Sequence, residues 1–312
     1  MTKPHVLQVG SYPDWDQTPL DAAFTMHRYF EADDKAAFLA QVGPQVQAIA
    51  TRGDLGAKAD MIAACPNLKL IVVYGVGYDA VDLDACRARG IRVTNTPGVL
   101  DGECADLAVA MMLGLTRNIV QAEAWVRNGT WATQGFPLQR RAFGKRAGIL
   151  GMGRIGAEVA KRLEGFGMQI AYSARSAKPV DYEFIPDPVA LAARSDFLFV
   201  TALANADTRH IVNADVLAAL GPQGMLINIS RAGNIDEAAL LDALESGALG
   251  GAGLDVFEGE PHLNPRFLAL KNVLLQPHHA SGTYETRQAM GQLMRDNLTA
   301  HFAGQPLLTA VI

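Results

Sequence analysis

The chain has 312 residues, enough for about two domains, and at 49% hydrophobic and 19% charged it has ordinary globular composition. Its net charge of −5, with acidic and basic residues interspersed, provides no basic stripe for phosphates or for an anionic membrane surface, so neither nucleic acid nor membrane is an expected partner. The apolar run Val6 to Val9 is too short for a signal peptide, no run approaches the roughly 18 apolar residues of a membrane helix, and Cys65, Cys86 and Cys104 are too scattered for a disulfide framework or a zinc site, so a metal-free protein of a reducing cytoplasm is expected.

In chain order, the β-branched runs Val6 to Val9, Ala48 to Ala50, Leu68 to Val73 and Ile91 to Thr94 alternate with helical patterns such as Lys58 to Ala64 and Leu83 to Arg89. Alternation of this kind implies a parallel sheet. An Ala-rich stretch then predicts one long helix from Cys104 to Asn128, stopped near Gly129. A second series of strands follows at Ala147 to Leu150, Met168 to Tyr172, Asp196 to Thr201, Met225 to Ser230, Gly253 to Val256 and Val273 to Gln276. Between them fall helices at Arg154 to Phe166 and at Glu237 to Ser246, the latter bracketed by Asp236 and Gly247 as caps. A last helix spans Tyr284 to Phe302 and ends before Gly304. The expected architecture is α/β, with two doubly wound parallel-sheet domains: residues 1–95 plus 284–312 form one, and residues 96–283 form the other.

The strand ending at Leu150 runs into Gly151-Met152-Gly153-Arg154-Ile155-Gly156 and then directly into a helix, the context a dinucleotide-binding glycine motif requires. Gly151 permits the tight turn, Gly153 lets a pyrophosphate approach the backbone, and Gly156 lets helix and strand pack closely. About 20 residues on, where an acidic side chain would bond the ribose hydroxyls of NAD, the chain reads Tyr172-Ser173-Ala174-Arg175-Ser176. With no carboxylate to repel a 2′-phosphate, and Arg175, Ser173 and Ser176 to bind it, NADPH is preferred and NAD(H) is the secondary option.

Ligands of open α/β sheets bind at the carboxyl ends of the strands. There the chain places Arg231, Glu260 and His278. Arginine can hold a carboxylate and polarise a carbonyl, and histidine can donate a proton near neutral pH while a glutamate orients it. On the residues alone, Arg231 and Glu260 could equally form a structural ion pair, and His279 rivals His278.

These motifs resemble the D-isomer-specific 2-hydroxyacid dehydrogenases, particularly the glyoxylate, hydroxypyruvate and hydroxyphenylpyruvate reductases. The resemblance covers nearly the whole chain through Gly151 to Gly156, Leu226 to Gly233 leading to Asp236-Glu237, Gly250 to Pro261, and Asn272 to His278. It implies a flavodoxin-like substrate domain, a Rossmann cofactor domain and catalysis in the cleft by Arg231, Glu260 and His278, deciding between the histidines. It also implies cofactor contacts by Arg154, Ile155, Thr208, Ile229 and Asp255, and a substrate carboxylate held by the amides of Val76 and Gly77, with Arg52 a further candidate for substrate selection. A homodimer through the long helix and the Trp125 to Phe143 segment, with Trp131 and Phe136 as contacts, belongs to the same expectation. Two departures stand out: Leu203-Ala204-Asn205 where relatives commonly have Pro-Leu-Thr, and Ala232 where glycine is common. The implied activity is reduction of small 2-keto acids to D-2-hydroxy acids. The alternatives are a nicotinamide-sensing protein of corepressor type and an NAD-linked D-2-hydroxyacid dehydrogenase of another substrate.

Overall fold

The computed structural model describes residues 3–312. The chain divides into two compact units, the first running up to Leu100 and resuming at Gly282–Ile312, the second being Asp101–Ser281. Both are built around wholly parallel sheets.

The first unit has β1 (His5–Gln8), β2 (Thr25–Arg28), β3 (Ala48–Arg52), β4 (Leu70–Tyr74) and β5 (Arg92–Thr94), in the order β2-β1-β3-β4-β5. That order is the flavodoxin-like one, with its reversal between β1 and β3. β4 is buried along its whole length, as expected of a parallel strand covered on both faces. Leu7, Ile49, Ile71 and Val93 lie side by side in register across four strands, each with 0% exposure. Each such side chain contributes roughly 1.5–3 kcal/mol of burial. The closing helix Tyr284–Phe302, capped by Thr283, buries Met290, Met294 and Leu298 at helical spacing in this unit. Its Arg295 pairs with the fully buried Asp16 of the helix Asp14–Ala23.

The second unit has β6 (Arg146–Leu150), β7 (Gln169–Ser173), β8 (Glu183–Phe184), β9 (Phe197–Val200), β10 (Met225–Asn228), β11 (Gly251–Leu254) and β12 (Val273–Leu275). Their order is β12-β11-β10-β9-β6-β7-β8, so the winding reverses between β6 and β9. This is the Rossmann order extended by one strand. Ile227, Phe199, Ile149 and Tyr172 form one buried row across its middle. Among the described residues, no helix is long and apolar enough to cross a membrane.

Three expectations are corrected. The single helix from Cys104 to Asn128 is two helices, Asp101–Arg117 and Ile119–Arg127, because Asn118 adopts a left-handed conformation with φ 51°. Asparagine is among the few residues other than glycine that tolerate this, and the break leaves the apolar spacing on either side intact. The strands β2 and β8 were not expected: β2 carries the polar Thr25, His27 and Arg28 and no fully buried residue, and β8 has only two residues. Both lie at sheet edges, where burial imposes no apolar pattern.

Candidate active site

At the reversal point of the second sheet, β6 ends and Gly151 turns the chain with φ 108°. A Cβ at Gly151 would lie 2.5 Å from the Cα of Ala202, in the segment after β9, and one at Gly156 would overlap the carbonyl oxygen of Gly151. These two glycines are therefore demanded by packing. Gly153 differs, because a Cβ there would meet nothing within 4 Å. It stands at the N-terminus of the helix Arg154–Glu164 without any side-chain cap, and the first-turn amides of Arg154, Ile155 and Gly156 have no intrahelical partners. Open space in front of uncapped amides at the positive end of a helix is a cradle for a phosphate. The residues present fit a dinucleotide.

The expected ribose-side residues divide. Arg175 and Ser176 are exposed beyond β7, whereas Ser173 is a correction: it is 4% exposed and its hydroxyl donates to the carbonyl of Pro186 at 3.0 Å. Being the last residue of β7, Ser173 has its side-chain direction set by the pleat, which turns it inward. The hydroxyl of Thr208 is committed within its own loop, donating to Leu203 O at 2.7 Å and accepting from Asn205 N at 2.9 Å, so Asn205 and Thr208 close a capping box. Ile229 is buried at 7% exposure just beyond β10.

Arg231, Glu260 and His278 follow β10, β11 and β12, which are neighbours in the sheet, and their loops emerge from the same edge. The loop after β11 folds back on itself at Gly259, φ 74°, so that one oxygen of Glu260 accepts the amide of Phe257 at 2.8 Å. Its other oxygen meets His278 Nδ1 at 2.6 Å. Burial would raise the Glu260 carboxyl, but the His278 hydrogen bond, the Phe257 amide and the charges of His278 and Arg231 outweigh it and hold the group below the usual carboxylate range. An ionised Glu260 is an acceptor only, so Nδ1 of His278 carries the proton of that bond.

His278 itself sits at φ 50°, a strained conformation for a residue with a side chain. The fully buried Asp255 holds it there: its two oxygens accept the amides of His279 and Ala280, each at 2.9 Å. Burial raises the Asp255 carboxyl, against the pull of those amides. Expected at the cofactor, Asp255 thus has the turn that presents His278 as its visible partner. His279 is turned to Gln276, 2.8 Å from Nε2 to Oε1.

The turn before Arg231 is fixed by the fully buried Asn228, whose side chain accepts from Ser230 N at 3.0 Å and donates to Arg231 O at 3.1 Å. Asn234 donates to Ala202 O at 2.8 Å and to Ser230 Oγ at 3.1 Å, tying this turn to the segment after β9. The Arg231 guanidinium donates to Ser230 O at 2.9 Å. Asn228 and Asn234 were missed by the sequence reading. For Asn228 the available signal was a polar residue closing an otherwise apolar strand, since a buried amide must find partners; Asn234, in the turn after Arg231, carried no such signal.

In the first unit, β4 leads into Gly75, φ 146°, followed by Val76 and Gly77. Thr96 Oγ1 accepts the Gly75 amide at 3.1 Å and Asn95 donates to Val76 O at 2.8 Å, while the amides of Val76 and Gly77 make no hydrogen bond among the described residues. Arg52, at the end of β3, forms a two-pronged bond with Asp54 at 3.1 and 2.8 Å.

The family model "D-isomer specific 2-hydroxyacid dehydrogenase, NAD binding domain" matches residues 109–280. The chain belongs to the D-isomer-specific 2-hydroxyacid dehydrogenases. This dehydrogenase is 45% identical over 308 residues, 98% of either chain, to a hydroxyphenylpyruvate reductase of Plectranthus scutellarioides. It is 41% identical over 312 residues, 100% of this chain and 99% of the other, to a 2-ketogluconate reductase of Gluconobacter oxydans. Among solved structures, a 2-hydroxyacid dehydrogenase from Ketogulonicigenium vulgare Y25 matches with TM-score 0.94 and 68% identity, covering 100% of this chain and 99% of that one. An NADPH-dependent glyoxylate/hydroxypyruvate reductase from Sinorhizobium meliloti, in complex with NADP and malonate, matches with TM-score 0.91 and 40% identity, covering 99% and 97%. As a member of this family the dehydrogenase is a nicotinamide-dependent oxidoreductase.

Proposed function

We propose that this dehydrogenase reduces small 2-keto acids, glyoxylate and hydroxypyruvate among them, to D-2-hydroxy acids, with NADPH preferred over NADH and His278 as the general acid. The observation that carries the reading is the 2.6 Å bond between His278 Nδ1 and Glu260. With Nδ1 donating to the carboxylate, the ring is held in one orientation and Nε2 is left as the position from which a proton passes to the alkoxide oxygen that develops at C2. Arg231 polarises the keto oxygen and pairs with the substrate carboxylate, and the amides of Val76 and Gly77 are the first unit's groups for a carboxylate. The bound nicotinamide, when reduced, supplies the hydride; the Gly151 to Gly156 turn and the first amides of the following helix hold its pyrophosphate. Hence residues 1–95 with 284–312 serve the substrate, and residues 96–283 serve the cofactor.

The preference for NADPH is supported by the absence of any carboxylate from Tyr172 to Ser176, by the exposed Arg175, and by the NADPH dependence of the Sinorhizobium relative. A cytoplasmic homodimer is the proposed form. Exposed apolar side chains gather on and after the helix Ile119–Arg127: Ile119, Val120, Val126, Trp131, Leu138 and Phe143. Such a patch favours association with a second copy.

The test is the loss of reduced-nicotinamide absorbance on adding glyoxylate, hydroxypyruvate, pyruvate or phenylpyruvate with NADPH and then NADH, with chiral analysis of the product. Turnover favouring NADPH and yielding the D-acid is expected. Cofactor binding without turnover of any keto acid would overturn the reading.

A further inference from the structure

The loop that presents Glu260 is firmly seated at its start. Asp255 N donates to Asn228 O at 3.0 Å, and the ring of Phe257 packs edge to face on Phe267 with centroids 5.7 Å apart. Its tip is different: Glu258, Gly259 and Glu260 are exposed, and Gly259 at φ 74° puts the most permissive residue next to Glu260. Two consecutive amides of this loop are taken by two different carboxylates. Phe257 N donates to Glu260 Oε1 at 2.8 Å, and Glu258 N donates to Glu237 Oε2 at 2.9 Å. Among the described residues, Glu237 is the side chain from outside the loop that accepts an amide of its tip.

Glu237 opens the helix Glu237–Ser246, where an acidic residue ordinarily answers the helix dipole. The dipole alone gives no reason to withdraw the carboxylate from water, yet this one is half-buried. Burial and the charge of Glu258 raise it above the usual carboxylate range, against the pull of the Glu258 amide. Its base is held by a distant segment. Val212 and Ile235, 0% and 3% exposed, form a parallel bridge, with Val212 N donating to Asn234 O at 3.0 Å and Asp236 N to Val212 O at 2.9 Å. The same segment brings His210, whose amide donates to Gly233 O at 2.9 Å, to the loop tip. Its Nε2 is buried without a hydrogen-bond partner among the described residues and stands 4.0 Å from Glu258 Oε1. Glu258 is thus approached by two side chains whose backbones are both tied to the turn after Arg231.

We propose that Glu237 is a positioning residue for the Glu260–His278 pair: by accepting the Glu258 amide it holds the loop in the conformation that brings Glu260 to His278. The proposal rests on the reading of His278 as proton donor and names what keeps its partner in place. Without the bond, the backbone at Gly259 is free to turn and the 2.6 Å contact between Glu260 and His278 loosens. Proton transfer needs that alignment to within a fraction of an ångström, so the loss falls on kcat. The amide requires an acceptor and no charge, and the side-chain carbonyl of glutamine can supply one.

The experiment compares Glu237→Met, which keeps the length of the side chain without a strong acceptor, with Glu237→Gln. Three quantities are read: kcat for glyoxylate with NADPH, the KM for NADPH, and the Nδ1 proton resonance of His278 in enzyme carrying isotope-labelled histidine, identified by its absence from His278→Gln. Glu237→Met should lower kcat by about tenfold or more, leave the NADPH KM within about twofold, and displace or broaden the resonance. Glu237→Gln should recover most of the rate and the resonance. Should Glu237→Met fail to fold, Glu237→Ala carries the same comparison. An unmoved resonance in a folded variant lacking the acceptor overturns the proposal whatever the rate, as does a glutamine variant as impaired as the methionine one. A displaced resonance with unchanged kcat supports the hold of Glu237 on the pair and defeats instead the reading of His278 as proton donor.

Discussion

Both units are wholly parallel sheets whose winding reverses at one point, yet the residues beyond their strand ends are arranged in opposite ways. In the second unit they are tied to one another: His278 to Glu260, Asp255 to His279 and Ala280, Asn228 to Ser230 and Arg231. In the first, two backbone amides make no hydrogen bond among the described residues, and a cavity opens at the strand ends. The difference teaches where each kind of selectivity can reside. A network that fixes side-chain geometry suits proton transfer, which fails with small misplacements, and an open cavity suits choice among substrates of different length.

The largest expected effect tests the tied network at its centre. His278→Ala should lower kcat by about 10²- to 10⁴-fold while NADPH still binds, as followed by nicotinamide fluorescence. Turnover near that of the unmodified enzyme would dissociate the network from the chemistry. Next come the glycines, which separate packing from ligand approach within one loop. Gly151→Ala should destabilise the fold by roughly 1–3 kcal/mol or more, since it places a Cβ at φ 108° against Ala202. Gly153→Ala should leave the melting temperature within a few degrees yet raise the NADPH KM. Equal losses of stability would refute the division of labour between them.

Arg175→Ala should raise the NADPH KM by about ten- to a hundredfold and leave the NADH KM little changed, because a charge-assisted bond to the 2′-phosphate is lost. The smallest effect is in pH. The Glu260 carboxyl is held below the usual carboxylate range, burial being outweighed by the His278 hydrogen bond, the Phe257 amide and the adjacent positive charge. A depressed folded value means that its contribution to stability is complete above the ordinary carboxylate pKa of about 4.3 and is lost as pH falls through the lower folded value. Melting curves of the unmodified enzyme and Glu260→Gln should therefore differ most near neutral pH and converge below about pH 4. A constant difference across that range would show that Glu260 contributes nothing through its charge.

Much of this was legible in the residues because it depends on local pattern. Buried parallel strands such as β4 and β9 are continuous apolar runs, and the helix Glu237–Ser246 announces itself by Asp236, which accepts Ala239 N, and by the left-handed Gly247. The glycine turn after β6 is likewise local, since a tight turn into a helix can be read from adjacent positions. The candidate catalytic trio could be named because each member lies in the segment after a strand, and the family resemblance decided between His278 and His279.

What the sequence by itself determined, then, is the alternation that makes both sheets, the dinucleotide turn, and the identity of the polar groups beyond the strand ends. The tertiary structure alone decided which of those groups meet. Eighteen positions of chain separate Glu260 from His278 and 24 separate Asp255 from His279. Only the adjacency of β11 and β12 turns such separations into hydrogen bonds of 2.6 and 2.9 Å. The inward turn of Ser173, the left-handed break at Asn118 and the joining of Tyr12, Tyr74 and Arg287 around one cavity have the same origin. Each depends on a dihedral or on a contact between distant segments, and hydrophobic periodicity encodes neither.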